Sequence, residues 1–159
     1  MKRIASFSIN HDILGKGMYT SRIDGDVITY DIRMKVPNNP ERDYLTPGGG
    51  HTIEHLMATY MRNSSHADEI IYVGPMGCQT GFYFLTRDTV CPETAIQLVR
   101  DCLAYVRDFD GEIPGSKRIE CGQYDLHDLT EAKAVAADMC EVLKEWTPEK
   151  LVYPVADAE

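Results

Sequence analysis

Segments with a strand-like hydrophobic period and segments with a helical period both occur in this chain, without regular alternation. Over residues 28–36 apolar side chains occupy every second position, and charged residues such as Asp31 and Arg33 lie between them. This two-residue period predicts a strand with one buried face and one polar face. Two shorter strands are predicted over residues 69–73 and 81–87, on either side of a glycine-containing turn.

Helices are predicted over residues 50–63 and 92–109, where apolar positions recur at spacings of three and four. A third helix is predicted to begin near Asp128, because Asp128 and Glu131 have the spacing of a capping box. Strands and helices of similar weight, without regular βαβ alternation, indicate an α+β layer fold.

Length and charge restrict the class of protein. The chain has 159 residues and a formal net charge of −9, which suits one globular domain and disfavours nucleic acid or membrane surfaces as partners. Five cysteines without a dense framework favour a reducing compartment. We expect neither a signal peptide nor a membrane-spanning segment, because no apolar run of suitable length occurs.

The strongest local signal is the run His51-Thr52-Ile53-Glu54-His55 on the first predicted helix. At about 100° per residue, His51, Glu54, His55 and Arg62 fall on one face, and the apolar residues fall on the other. Two histidines at positions i and i+4 can chelate one divalent ion, and Glu54 lies beside them, placed to move protons. The three preceding glycines are expected to permit close approach of a ligand to the backbone.

The third metal ligand remains open at this level, because spacing alone does not select it. The candidates, besides the acidic residues, are Cys78, Cys91, Cys121, His66, His127 and His11. Cys78 and Cys121 lie in glycine-containing loops that expose a thiol, whereas Cys102 and Cys140 lie on or beside apolar stripes. These residues predict metal-assisted hydrolysis or carbonyl chemistry with a cysteine and a glutamate as the acid–base pair.

Five blocks of residues, in order along the chain, resemble the S-ribosylhomocysteine lyase (LuxS) family. The blocks are Ser6-Phe7 with His11, Asp31-Ile32-Arg33, His51-Thr52-Ile53-Glu54-His55, Pro75-Met76-Gly77-Cys78 with Thr80-Gly81-Phe82-Tyr83, and Cys121-Gly122-Gln123 with Leu126-His127-Asp128-Leu129. Five ordered blocks are far more specific than the metal motif alone. The resemblance implies a single domain over residues 1–159, with an antiparallel sheet packed against helices in a two-layer sandwich related to the inverzincin-type metalloenzymes.

The resemblance also implies an activity and its setting. The implied reaction converts S-ribosylhomocysteine to homocysteine and 4,5-dihydroxy-2,3-pentanedione, the precursor of the autoinducer-2 quorum-sensing signal, by successive carbonyl shifts and β-elimination. One divalent ion per subunit is implied, with Fe²⁺ as the natural metal and Zn²⁺ or Co²⁺ as substitutes. A cytoplasmic bacterial homodimer with active sites at the subunit interface is implied as well.

Roles carried over from the family pattern fall into three groups. The residues that look like metal ligands are His51, His55 and Cys121. The residues that look like acid–base groups are Cys78 and Glu54. The residues that look like substrate contacts, some of them from the partner subunit, are Ser6, His11, Arg33 and Arg62.

Two alternatives to the lyase stay open from the residues alone. A metallopeptidase of the inverzincin type predicts a carboxylate as the third ligand, further along a longer chain. A non-catalytic metal-binding module predicts a closed site with four protein ligands.

Overall fold

A four-stranded antiparallel sheet forms one layer of the structure, a computed structural model that describes residues 1–156. The strands are β1 (Gly17–Asp24), β2 (Val27–Arg33), β3 (Ile70–Pro75) and β4 (Gly81–Arg87). Their order across the sheet is β1-β2-β4-β3, and each neighbouring pair is antiparallel. The predicted antiparallel arrangement is therefore confirmed.

Three helices form the second layer. They are α1 (Pro47–Arg62), α2 (Pro92–Asp108) and α3 (Leu129–Val142). Helix α1 contacts β3 and both other helices, and α2 packs along α3. Three short 3-10 helices lie at Ala5–Phe7, Ala67–Glu69 and Pro148–Leu151. The two layers match the predicted α+β class.

The core lies between the layers, because one face of the sheet is apolar along every strand. Ile32 is paired with Phe82 and Tyr30 with Phe84 in the β2–β4 register, and these four side chains are at most 1% exposed. The buried stripe of α2 joins the same cluster. Within residues 1–156 the structure contains no helix long and apolar enough to cross a membrane.

Helix α1 begins at Pro47, three residues earlier than predicted. The Thr46 hydroxyl accepts a hydrogen bond from the Gly49 N–H at 3.1 Å, and proline suits the first helical turn. One of the three glycines, Gly49, has a packing role that the sequence did not predict, whereas Gly50 lines the cavity beside His51. A Cβ on Gly49 would lie 1.9 Å from the Glu131 carboxylate, so glycine at this position lets the first turn of α3 pack closely against α1.

Two strand predictions were wrong in detail. Strand β1 was missed, because a register shift between Thr20 and Arg22 interrupts its two-residue period. Strand β2 ends at Arg33 rather than at residue 36. The N–H groups of Met34 and Lys35 both donate to the carbonyl of Thr80, at 2.8 and 3.0 Å, and turn the chain out of the ladder.

The expectation of a polar, solvent-facing side to β2 was also wrong. Asp31 is 0% exposed and Arg33 is 2% exposed. Arg33 binds Asp31 through two nitrogens, with the Nη2–Oδ2 distance at 2.5 Å. The Tyr153 hydroxyl, in the C-terminal segment, donates to the same Asp31 oxygen at 2.6 Å. This face of β2 therefore carries a buried ion pair that is hydrogen-bonded by the Tyr153 hydroxyl, instead of the expected solvent-exposed polar side chains.

Candidate metal centre

Helix α1 places two imidazoles side by side. His51 and His55 are one turn apart, and their ring centroids lie 4.4 Å from each other. On the opposite side of the helix Ile53 and Leu56 are buried in the core, at 1% and 0% exposure. Because burial fixes the rotation of the helix, the two histidines are held facing the loop before α3.

A cysteine from that loop completes a cluster of three side chains that could bind a metal ion. One ligand atom from each of His51, His55 and Cys121 lies within 4.8 Å of the other two. The Cys121 sulfur is 3.4 Å from Nε2 of His51. Among the described residues, the other candidates for the third ligand do not join this group. Cys121 is therefore the candidate third ligand that the structure brings to the histidine pair.

Backbone carbonyls orient both imidazole rings. Nδ1 of His51 lies 2.6 Å from the carbonyl of Leu126, and Nδ1 of His55 lies 2.7 Å from the carbonyl of Pro114. A carbonyl only accepts hydrogen bonds, so each Nδ1 carries a proton, and Nε2 is the ring nitrogen left to bind a metal. Such partners hold metal-binding histidines in position and raise their basicity.

The donor set fits a catalytic divalent ion. Two imidazole nitrogens and one thiolate make a three-ligand site, which leaves a coordination position for water or substrate. Each of the three side chains is partly exposed, so the cluster is open to solvent on one side. A carboxylate ligand, which a metallopeptidase of this motif predicts, is not part of the cluster in the described chain.

A cavity beside the histidines contains the glutamate of the motif. It has a volume of about 260 Å³ and is lined by His51 and Glu54 from α1, together with Pro75 at the end of β3 and with Met76 and Gly77 from the turn that follows. Cys78 follows this turn, and its thiol is exposed. The cavity therefore has His51, the Glu54 carboxylate and the turn that precedes Cys78 on its walls.

Two polar groups lie beside the Cys78 sulfur and bind each other. Nη1 of Arg33 donates to the Thr80 hydroxyl at 2.7 Å and lies 3.9 Å from the sulfur. The Thr80 oxygen lies 3.0 Å from the sulfur. Because Thr80 accepts from the guanidinium, its own proton is free to point at the sulfur. A positive charge and a hydroxyl donor therefore lie beside this thiol.

Comparison with known proteins agrees with this chemistry. A family model for S-ribosylhomocysteinase (LuxS) matches residues 4–150. The chain belongs to the S-ribosylhomocysteinase (LuxS) family. It is 45% identical to the S-ribosylhomocysteine lyase of Phocaeicola vulgatus, over 99% of this chain and 100% of that protein. The lyases of Desulfotalea psychrophila and Clostridium acetobutylicum are 44% and 39% identical, each over 97% of this chain and 99% of the relative.

Not every residue that the LuxS pattern assigns lies at the metal cavity of the same chain. Ser6 lines a different cavity, of about 490 Å³, on the sheet face opposite the helices. Nδ1 of His11 lies 2.9 Å from the carbonyl of Ile9. Arg62 donates to the carbonyl of Ile71 at 2.7 Å and ties the end of α1 to β3. Of the four predicted substrate contacts, the structure places Arg33 beside Cys78.

His127, one of the open ligand candidates, packs against the cluster in this LuxS chain. Its ring stacks on His51, with centroids 4.2 Å apart, and its Nδ1 lies 2.9 Å from the Thr52 hydroxyl. Within residues 1–156 its Nε2 is buried without a hydrogen-bond partner. Burial, followed by the charges of His51 and His55, lowers the pKa of His127. A neutral ring is therefore held against the candidate ligands.

Sequence reasoning missed the partners that hold these groups in this LuxS site. Asp31 and Thr80 fix Arg33, and Thr52 accepts from the N–H of Asp128 at 3.0 Å. A signal existed for all three, because the resembling blocks contain Asp31, Thr52 and Thr80. Tyr153 lies outside every block, and no local pattern marks its contact with Asp31.

Proposed function

We propose that this protein is an S-ribosylhomocysteine lyase that releases homocysteine and 4,5-dihydroxy-2,3-pentanedione, the precursor of autoinducer-2. The proposal is supported by membership of the LuxS family and by relatives with that name along nearly the whole chain. The observation that carries it is the His51–His55–Cys121 cluster beside a cavity that Glu54 lines. The whole chain, residues 1–159, is proposed to form one lyase domain.

His51, His55 and Cys121 would hold one divalent ion, with Fe²⁺ as the natural metal and Zn²⁺ or Co²⁺ as substitutes. Imidazole and thiolate donors suit all three ions. The ion supplies a Lewis acid for carbonyl chemistry in the substrate. The carbonyls of Leu126 and Pro114, at 2.6 and 2.7 Å from the two Nδ1 atoms, would orient both rings so that Nε2 can bind the ion.

Cys78 is proposed to move the proton in the carbonyl shifts. Its thiolate takes a proton from the carbon next to the carbonyl group, and the thiol returns it to the neighbouring carbon. Arg33, at 3.9 Å, and Thr80, at 3.0 Å, stabilise the thiolate between these steps. The exposed position of Cys78 lets substrate carbon approach it.

Glu54 is proposed to take the proton that permits β-elimination of homocysteine. It lies on α1 between the two histidines and lines the cavities on both sides of them. It is partly buried, so its carboxylate is shielded from bulk water yet reaches the cavity. A carboxylate there can remove a proton close to the metal position without being a ligand.

A homodimer with shared active sites explains the placement of the N-terminal residues. Ser6 lines the cavity on the outer sheet face, away from the metal cavity of its own chain. Three large apolar side chains are exposed there or in the N-terminal segment, namely Ile4, Phe7 and Tyr72. Such exposure favours an interface. Ser6 and His11 are proposed to complete the site of the partner, in a bacterial cytoplasm.

The direct test is anaerobic incubation of the metal-loaded protein with S-ribosylhomocysteine, followed by an assay for free thiol. Wild type should release homocysteine, and Cys78→Ala and Glu54→Gln should keep the metal but release none. Cys91→Ala is the matched control, because Cys91 is also an exposed thiol but caps α2. Wild-type turnover by Cys78→Ala or by Glu54→Gln would remove the role assigned to that residue.

The shared site is tested by mixing two inactive variants. If Ser6 acts across the interface, subunits of Cys78→Ala and Ser6→Ala should form hybrid dimers with one intact site and regain activity. No recovery after exchange of subunits would place both residues in one chain's site. Cobalt substitution tests the open position, since a closed, non-catalytic site would show no spectral change when substrate is added.

A further inference from the structure

The C-terminal segment contacts the site through a buried chain of hydrogen bonds. Tyr153 donates to Asp31 at 2.6 Å. Asp31 accepts from two nitrogens of Arg33. Arg33 then donates to Thr80 and faces the sulfur of Cys78. Every link is a contact between side chains, so a change at Tyr153 reaches the thiol without passing through the backbone.

We propose that Tyr153 is a positioning residue that acts on the Cys78 thiolate through Asp31 and Arg33. The inference rests on the proposed role of Cys78. Arg33 is a shared group, because its Nε and Nη2 face the carboxylate while its Nη1 faces Thr80 and the sulfur. The hydrogen bond from Tyr153 partly neutralises the Asp31 carboxylate, so Asp31 offsets less of the positive charge of Arg33. More of that charge then acts on the Cys78 sulfur.

Burial makes this coupling strong. Asp31, Arg33 and Thr80 are 0%, 2% and 3% exposed, so water screens their charges little. The ring of Tyr153 stacks on Tyr19 with centroids 5.1 Å apart, which fixes the direction of its hydroxyl. Burial, and then the charge of Asp31, raise the pKa of Tyr153, so the phenol keeps its proton and acts as a donor.

The groups that face this cluster come from four parts of the chain. β1 contributes Tyr19, whose hydroxyl donates to the carbonyl of Gly15 at 3.0 Å rather than to Asp31. β2 contributes Asp31 and Arg33, and the C-terminal segment contributes Tyr153. β4 contributes Tyr83, whose pKa is raised by burial and then by Asp31. Among these tyrosines, the described contacts give only Tyr153 a hydrogen bond to the ion pair.

The test compares Tyr153→Phe with Tyr19→Phe in the metal-loaded, full-length protein. Both variants keep the stacked rings and lose one hydroxyl, but only the first loses a donor to Asp31. Alkylation by iodoacetamide is followed at Cys78 by mass spectrometry across pH. We expect Tyr153→Phe to raise the midpoint of the alkylation profile by about half a pH unit, a roughly threefold slower reaction well below the midpoint.

Lyase kinetics provide the second measurement. Tyr153→Phe should lower kcat with little change in KM, because it lowers the fraction of Cys78 present as thiolate and removes no contact with substrate. Tyr19→Phe should change neither kcat nor KM. A midpoint shift below about 0.2 unit for Tyr153→Phe, or an equal shift for both variants, overturns the inference. Wild-type turnover by Cys78→Ala would instead remove the proposed role of Cys78, while the alkylation profile would still report on Tyr153.

Discussion

Replacing Asp31 by alanine should destabilise the fold far more than the removal of an exposed partner. Asp31 is 0% exposed and accepts three hydrogen bonds, two from Arg33 and one from Tyr153. The variant leaves a guanidinium that is 2% exposed without its counter-ion. Removing one partner of a buried pair costs about 3–5 kcal/mol. For a chain of this length that corresponds to a melting temperature lower by roughly 6–20 °C.

Urea unfolding at fixed protein concentration measures this loss, and Asp24→Ala is the matched control. Asp24 is bound by Arg22 through two nitrogens, at 2.6 and 2.7 Å and with the same separation in sequence, but that pair is exposed. Its removal should leave the midpoint unchanged. A double variant, Asp31→Leu with Arg33→Met, should recover most of the stability and remain inactive. A loss below about 1 kcal/mol for Asp31→Ala would refute the buried ion pair.

Three other predictions concern stability, thiol reactivity and metal affinity. Gly81→Ala should lower the free energy of unfolding by about 3 kcal/mol or more, because a Cβ there would lie 2.3 Å from the carbonyl oxygen of Ile32; thermal unfolding measures it. Burial raises the pKa of the Cys102 thiol, so native-state alkylation near pH 8 should spare Cys102 and modify the exposed Cys91. Thr52→Val should weaken metal binding about tenfold or more in a chelator competition, since it removes the contacts with His127 and Asp128.

Local periodicity predicted the parts of the site that a single helix contains. His51, Glu54 and His55 fall within two turns of α1, and the wheel places them opposite the buried residues. The structure puts the two imidazoles together and buries the opposite side, as expected. Helix angle and burial are both local properties, so no knowledge of the rest of the chain was needed.

The third ligand is different, because its position depends on packing between distant segments. Cys121 and His51 are 70 residues apart, and no spacing rule connects a loop cysteine to a helix so far away. The resemblance to the LuxS family selected Cys121 where the residues alone left several candidates. The close approach of Glu131 to Gly49 shows that α3 packs on the start of α1, next to the loop that supplies Cys121.

The polar face of β2 shows where a correct periodicity still gave a wrong environment. Asp31 and Arg33 do lie opposite the apolar core, as alternation predicts. They are covered by Tyr153, which is 122 residues from Asp31 and belongs to a segment without regular structure beyond the last 3-10 helix. Alternation gives the direction of a side chain, whereas burial depends on whichever segment folds over it.

The loop before α3 has two functions that depend on each other. It supplies the Cys121 thiol. The carbonyl of Leu126, a few residues further on, orients the ring of His51 through a contact of 2.6 Å with Nδ1. The end of the loop is fastened to α1, because the N–H of Asp128 donates to Thr52 and to the carbonyl of Gly48. A shift of this loop would therefore move the Cys121 thiol and at the same time break the contact between the Leu126 carbonyl and His51. Packing of α3 on α1 thus sets the geometry of the candidate metal centre.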